Sequence, residues 1–486
     1  MKKFVVDQNQ DWSVSDIERI SEHVEQIGVN EWGLSLYPNS IDIISSEQMI
    51  DMYTSVGMPI YYNHWSFGKD WVKQNHNYKT GNMGLALELV INSNPCINYI
   101  MEDNDLLSQL MVLSHSSVGH NFFFKNNYLF KEETDASSII DYLLFAKKYI
   151  QDQEMIHGVE VVEKWIDSCH ALSDYGVNRY RRPTKLSASK ELERINAKIE
   201  YELTIVDEYS SIIPAGQGKI RSTNMEPQEN LLYFFEKNSQ GLTVWQREII
   251  RIVRKISSYF APQMMTKVMN EGTATWVHHT MMGIFNDRGI TTTGAHMSFL
   301  KLHSSVIYQP DFNSKHYSGL NPYKLGFEIF KDIERICENP TEEDLNWLPN
   351  LKGQKFIDVF KDIVENYRDE SFIRQWMSPK VIRDMKFFVL CDNKDDIEYE
   401  ISNIHNEKGY QEIRNKLANN YEHESYIPRL EIVNVDTTNR ILTIEYRNYE
   451  NRDIKVTNKL LYHLKKLWGG FAVRIVDVHS NIIDEM

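Results

Sequence analysis

Along the first 175 positions apolar residues recur mostly at intervals of three and four, the period of a helix with one buried face. The run after Thr134 is the clearest case. Ile139, Leu143, Ala146 and Ile150 fall on one stripe, Thr134 is suited to an N-cap, and Gly158 supplies a stop. Ser45 and Gln48 carry the capping-box signature of a helix running toward Gly57, preceded by the short extended piece IDII at 41–44. Helical spacing resumes from Asn230 to about Arg383, interrupted by Pro262, by 308–322 and by 339–350. Between the blocks, 184–229 with its run PAGQGKIRSTNMEP reads as a linker, or as a lid over 208–228.

The last hundred residues change period. KFFVLCD, RLEIVNVD, RILTIEYRN and FAVRIVDV read as strands, TTNR supplies a turn, and helical patterns occupy about 396–421 and 457–468. This order is that of a ferredoxin-like βαββαβ unit. The expected fold is therefore mainly α: helical blocks at 1–183 and 230–383 sharing one core, a connection at 184–229, and a smaller C-terminal α+β domain at 384–486.

Composition narrows the class. A hydrophobic fraction of 42% with only 13 Pro excludes a disordered or collagenous chain. Lys+Arg 53 against Asp+Glu 68 leaves a net charge of −15, which opposes binding to nucleic acid or anionic lipid. Cys96, Cys169, Cys337 and Cys391 are scattered and form no zinc ribbon or disulfide framework. MKKFVVDQNQDW does not read as a signal peptide, and no apolar run reaches the roughly 18 residues of a membrane helix. A cytoplasmic protein without membrane insertion is expected.

Several side chains carry candidate chemistry. VLSHSSVGHNFFF sets His115 and His120 five positions apart, about 140° around an α-helix, so they converge only if the helix ends near Gly119. In MNEGTATWVHH, Glu271, Thr275, His278 and Met282 share one helix face, with Glu271 and His278 about 10 Å apart along the axis. The NEG-x-A-x-W piece looks like the helix that donates the glutamate ligand of gluzincin-type metallopeptidases, yet the His-Glu-x-x-His of those enzymes is replaced by His-Ser-Ser-Val-Gly-His. Glu154 and His157 extend the apolar stripe of their helix and offer a substitute base. Glu-x-x-His is also half of a di-iron motif, whose second half the chain lacks. Arg247, Arg251 and Arg254 form a stripe able to clamp carboxylate or phosphate. Cys169 directly before His170 is a weak nucleophile arrangement, and no G-x-S-x-G, phosphate loop or dinucleotide fingerprint occurs. Structural readings stand beside each of these: imidazoles bonded to carbonyls at a helix end, a histidine on a helix dipole, and a solvated arginine face.

The chain resembles the stage V sporulation protein R (SpoVR) family. The resemblance rests on EQMIDMYTSVGMPIYYNHWSFGK, LVINSNPCINYIMEDN, GHNFFFKNNYLF, CHALSDYGVNRYRRP, WQREIIRIVRKISSYFAPQ, VMNEGTATWVHH and RDESFIRQWMSPK. It implies a cytoplasmic protein of the mother cell that serves in building the spore cortex, a modified peptidoglycan, with relatives often encoded near a serine protein kinase. No established catalytic residue comes with it. The reading of the residues is a metal-dependent amide or peptide hydrolase. In that reading His115, His120 and Glu271 hold a divalent metal, zinc given the nitrogen and oxygen donors. Glu154 activates water, His157 or His278 orients or donates a proton, and Arg247, Arg251 and Arg254 hold an anionic, peptidoglycan-related substrate. The alternative is a non-enzymatic scaffold or regulator that binds the kinase or other sporulation proteins.

Overall fold

The structure, a computed structural model, describes residues 4–54, 57, 58, 60–79, 87–178, 190, 193, 197, 228–387, 390, 391, 400, 401, 407–422, 427–436, 438–447 and 458–486. The chain divides into two units, one of Met1–Asp152 with Tyr259–Glu422 and one of Gln153–Ser258 with His423–Met486. The connection expected at 184–229, and with it any lid at 208–228, lies almost wholly outside the described residues.

The first unit is helical around a small sheet. β1 (Asn39–Ile44) runs parallel to β3 (Cys96–Met101), and β2 (Glu88–Ile91) pairs antiparallel on the other side of β3, with Glu88 opposite Ile100. Ser45 and Gln48 exchange the bonds of a capping box, Ser45 N–H to Oε1 at 2.9 Å and Gln48 N–H to Oγ at 3.3 Å, and the helix Ser46–Thr54 follows. The helix Ile139–His157 buries Ile139, Leu143, Ala146 and Ile150, the stripe read from the pattern. Thr134 instead closes the preceding helix, donating its hydroxyl to Phe130 O at 2.6 Å.

At the centre of this unit two helices run nearly without side-chain separation. A Cβ on Gly272 of the helix Lys267–Asp287 would lie 2.5 Å from Gly326 Cα of the helix Pro322–Glu338, so only glycine permits the crossing. Phe122, Phe360, Phe330 and Phe372 fill the space beyond, with ring centroids 4.9–5.8 Å apart in successive pairs. Full burial of each such ring stabilises the fold by about 1.5–3 kcal/mol.

The second unit contains the helices Val159–His170, Leu231–Asn238 and Asn458–Leu467 and a four-stranded sheet. Gly469 and Gly470, both at positive φ, stop the last of these helices and turn the chain back toward the sheet. Its strands lie in the order β6 (Arg429–Asp436), β7 (Ile441–Arg447), β8 (Val473–Val476), β9 (Ile482–Glu485), with β7 and β8 parallel and the outer pairs antiparallel.

A C-terminal sheet is present, but this is not the ferredoxin-like order expected. Among the described residues β4 (Leu390–Cys391), the expected first strand, pairs with the short β5 (Glu400–Ile401) alone. The helix Glu407–Asn420 belongs to the first unit, where Leu417 and Ala418 enter the core and Arg374 donates to Asn419 Oδ1 at 2.8 Å. The division therefore falls after Glu422, whereas the sequence pattern places it at 384. β9, which no pattern announced, completes the sheet.

Candidate metal centre

The helix Leu106–Leu113 is apolar but for Ser108 and Gln109 and buried at every position but Ser108, and Asp105 caps it by accepting from Ser108 N–H at 2.8 Å. It continues without a break into a π-helical stretch, Ser114–His120, and then into the helix Asn121–Asn126. Ser114 and Ser117 donate their hydroxyls to the carbonyls of Leu110 and Leu113, at 2.8 and 2.5 Å, where the wider coil loosens the α pattern. The π register resolves the five-residue spacing: i→i+5 bonding stacks His115 over His120 on one side, so no helix end is needed. Their rings meet edge to face at 4.6 Å.

Gly119 lets this stretch lie flush on the Glu271 helix. A Cβ there would stand 2.5 Å from Ala274 Cα, one turn from Glu271. The Glu271 helix is anchored at its start by buried Asp369, which accepts from the backbone N–H groups of Val268 and Met269, both at 2.8 Å. Burial pushes the Asp369 carboxyl up to about 7, with Glu271 adding to the effect against those backbone bonds.

Glu271 Oε2 lies 3.6 Å from His115 Nε2 and 3.6 Å from His120 Nε2, and the three ligand atoms all lie within 4.8 Å of one another. Neither His115 Nε2 nor Glu271 Oε2 has a hydrogen-bond partner, although both are buried. Such orphaned atoms cost stability unless something between them is bound. Zinc at about 2.1 Å from tetrahedral N and O donors separates those donors by about 3.4 Å, close to the spacing seen. The outer ring nitrogens are held as metal-ligating histidines require. His120 Nδ1 donates to Asn270 Oδ1 at 2.9 Å, and His115 Nδ1 meets His278 Nδ1 at 2.9 Å.

Electrostatics separate the groups. Burial works against the charged form of Glu271, but His115, His120 and Tyr323 outweigh it and hold the carboxyl low. Burial likewise disfavours charge on His115, and Glu271 and Glu88 overcome it and raise its pKa. His120 is pushed down to about 4 by burial and by the neighbouring His115, against the pull of Glu271. His278 is driven well below the usual imidazole range, first by burial and then by the neighbouring imidazoles, His115 foremost.

Glu88, at the head of β2, was missed by the sequence reading. Its Oε1 lies 3.8 Å from His115 Nε2, and burial, with Glu271 contributing, raises its pKa. The signal was available: a carboxylate opening the apolar run LELVIN, one residue before a motif already noted. Asn270 and Tyr323 were missed as well, and Tyr323 stacks on His115 at 6.0 Å.

The other nominated residues belong to the second unit. Glu154 and His157 belong to the second unit and are not among the groups the first unit gathers around the void. Glu154 is half-buried and shifted up by desolvation and by Glu163, while His157 is exposed and stacks on Trp245 at 4.7 Å. The core-facing placement expected of this pair is thus not what the helix end provides. The arginine stripe is engaged internally. Arg251 Nε and Arg254 Nη2 reach the buried Glu236 at 3.1 and 2.9 Å, and Arg247 donates to the carbonyls of Glu236 and Ser239. Cys169 is buried, which pushes its thiol far up and removes it as a nucleophile.

Fold and site together define a predominantly helical protein with a His₂Glu cluster between a π-helical stretch and a glycine-packed helix. The chain belongs to the SpoVR family: residues 11–426 match the family described as SpoVR like protein. The uncharacterized protein YcgB of Escherichia coli (strain K12) is 47% identical over 466 residues, which cover 94% of this chain and 91% of that protein. No solved structure matches. Among the described residues no helix is long and apolar enough to cross a membrane.

Proposed function

We propose that the chain is a zinc-dependent hydrolase of amide bonds. His115, His120 and Glu271 would supply three protein ligands to zinc, the number typical of catalytic rather than structural sites. Zinc held there would supply an activated water and a Lewis acid for the carbonyl. The general-base role is assigned to Glu88 in place of Glu154, on the support of its carboxylate 3.8 Å from His115 Nε2. The observation that carries the reading is the pair of buried atoms without a hydrogen-bond partner, His115 Nε2 and Glu271 Oε2, 3.6 Å apart.

The family's tie to sporulation supports peptide amides of spore-cortex peptidoglycan as substrates and the mother-cell cytoplasm as the setting. The test is hydrolysis of peptidoglycan-derived peptides, followed as release of free amines, by wild type, Glu88→Gln and Glu271→Gln. The expected result is activity in wild type only, with zinc retained by Glu88→Gln and lost from Glu271→Gln. Absence of hydrolysis, with both variants still complementing a strain lacking the protein, would favour the scaffold reading.

A further inference from the structure

Behind the zinc ligands stands a second line of imidazoles that the proposed hydrolysis does not use. His115 Nδ1 lies 2.9 Å from His278 Nδ1, and His278 Nε2 lies 2.9 Å from His303 Nδ1. All three rings are buried, at 4%, 1% and 5% exposure, so water does not compete for these bonds. His278 is held edge-on to Phe299 at 6.1 Å, and His303 is packed against Phe327 at 5.0 Å. The rings have little freedom to turn away.

We infer that His278 and His303 are positioning residues that lock His115 in the tautomer that presents Nε2 to a divalent metal. This rests on the zinc reading of His115, His120 and Glu271. An imidazole that binds metal through Nε2 carries its proton on Nδ1. That Nδ1–H has one partner in the chain of rings, His278 Nδ1, which must then accept. His278 accordingly carries its proton on Nε2 and donates it to His303 Nδ1, leaving His303 protonated at Nε2. Metal at one end thus fixes the donor direction through three rings. The role filled in many zinc sites by a carboxylate or carbonyl behind the histidine is filled here by neutral imidazole. His120 has its own partner in Asn270, so the two histidine ligands are oriented independently.

The test compares zinc affinity, by chelator competition at fixed pH, for wild type, His278→Phe, His278→Gln and His303→Phe, with circular dichroism as the check on folding. His278→Phe keeps the ring volume and removes the acceptor, and is expected to weaken zinc about 10- to 100-fold. His278→Gln restores most of that, because its amide oxygen accepts from Nδ1–H, and His303→Phe costs less than His278→Phe. A downfield imidazole N–H resonance from His115 is expected to sharpen on adding zinc to wild type and to be absent in His278→Phe. Wild type that binds no zinc refutes the metal centre itself. Wild type that binds zinc while folded His278→Phe binds equally well refutes only the positioning role. If His278→Phe fails to fold, His278→Gln and His303→Phe decide it: equal, wild-type affinity in His303→Phe with an unchanged resonance overturns the inference.

Discussion

Replacing Gly119 by alanine tests whether the proposed centre depends on two helices lying in backbone contact. The added Cβ would stand 2.5 Å from Ala274 Cα and 2.7 Å from Ala274 Cβ. Ordinary contact begins near 3.4 Å, so the π-helical stretch and the Glu271 helix must part by about 0.9 Å. The obstacle is main chain on one side and a short side chain on the other, so no rotamer change relieves it. Overpacking of this kind costs about 1–3 kcal/mol. In a unit of this size each kcal/mol lowers the thermal midpoint by about 2–4 °C. The same displacement pulls His115 and His120 away from Glu271, whereas zinc ligands must sit within about 0.2 Å of their ideal distances. Zinc affinity should therefore fall by more than tenfold, out of proportion to the loss of stability. Isothermal titration with zinc and thermal unfolding with and without chelator measure the two effects. Gly283→Ala, in the Glu271 helix, is the control, since a Cβ there meets nothing within 4 Å. A Gly119→Ala protein with wild-type zinc affinity would refute the claim that this contact assembles the ligands.

Asn270→Ala removes the acceptor of His120 Nδ1–H and is expected to lower zinc affinity about 10- to 100-fold, read by the same titration. In metal-free protein, stability to urea should decline as pH falls from about 6.5 toward 4. His120 and His279 are depressed to about 4 and His303 to about 3, so the unfolded chain takes up protons first. Asp369, raised to about 7, works in the opposite sense, as do Glu88 and His115, because each holds its proton more tightly in the folded chain than in the unfolded one. His303→Phe should flatten the decline, and an unchanged pH profile in that variant would count against a neutral buried His303. Arg254→Ala strips one partner from Glu236, whose side chain is 1% exposed and keeps Arg251 and Lys237, and should destabilise the second unit by about 1.5–3 kcal/mol in denaturant melts with zinc stoichiometry unchanged.

How much of this was legible depends on the range of the cause. The stripe Ile139, Leu143, Ala146 and Ile150 and the capping box of Ser45 and Gln48 are local, so periodicity and side-chain chemistry expose them directly. The π register at 114–120 is not local. It is held by buried packing on Ala274, and an α-helical wheel places the same two histidines apart. Glu88 was hidden for a related reason: it converges with residues 27 and 183 positions away only after the sheet has formed. The C-terminal expectation went astray because short strands carry little periodicity. Leu390–Cys391 is strand in character, but its partner is the nearby Glu400–Ile401, and the following helix is captured by the first unit's core through Leu417 and Ala418. Arg247, Arg251 and Arg254 were read as a free basic stripe because their partner, Glu236, lies on another helix.

Anomalous diffraction from zinc-loaded crystals, recorded on both sides of the zinc absorption edge, bears most directly on the proposed centre. The account predicts one strong peak about 2.0–2.2 Å from His115 Nε2, His120 Nε2 and a Glu271 carboxylate oxygen. A map with no peak among these three side chains, or with zinc bound only elsewhere on the chain, would contradict it.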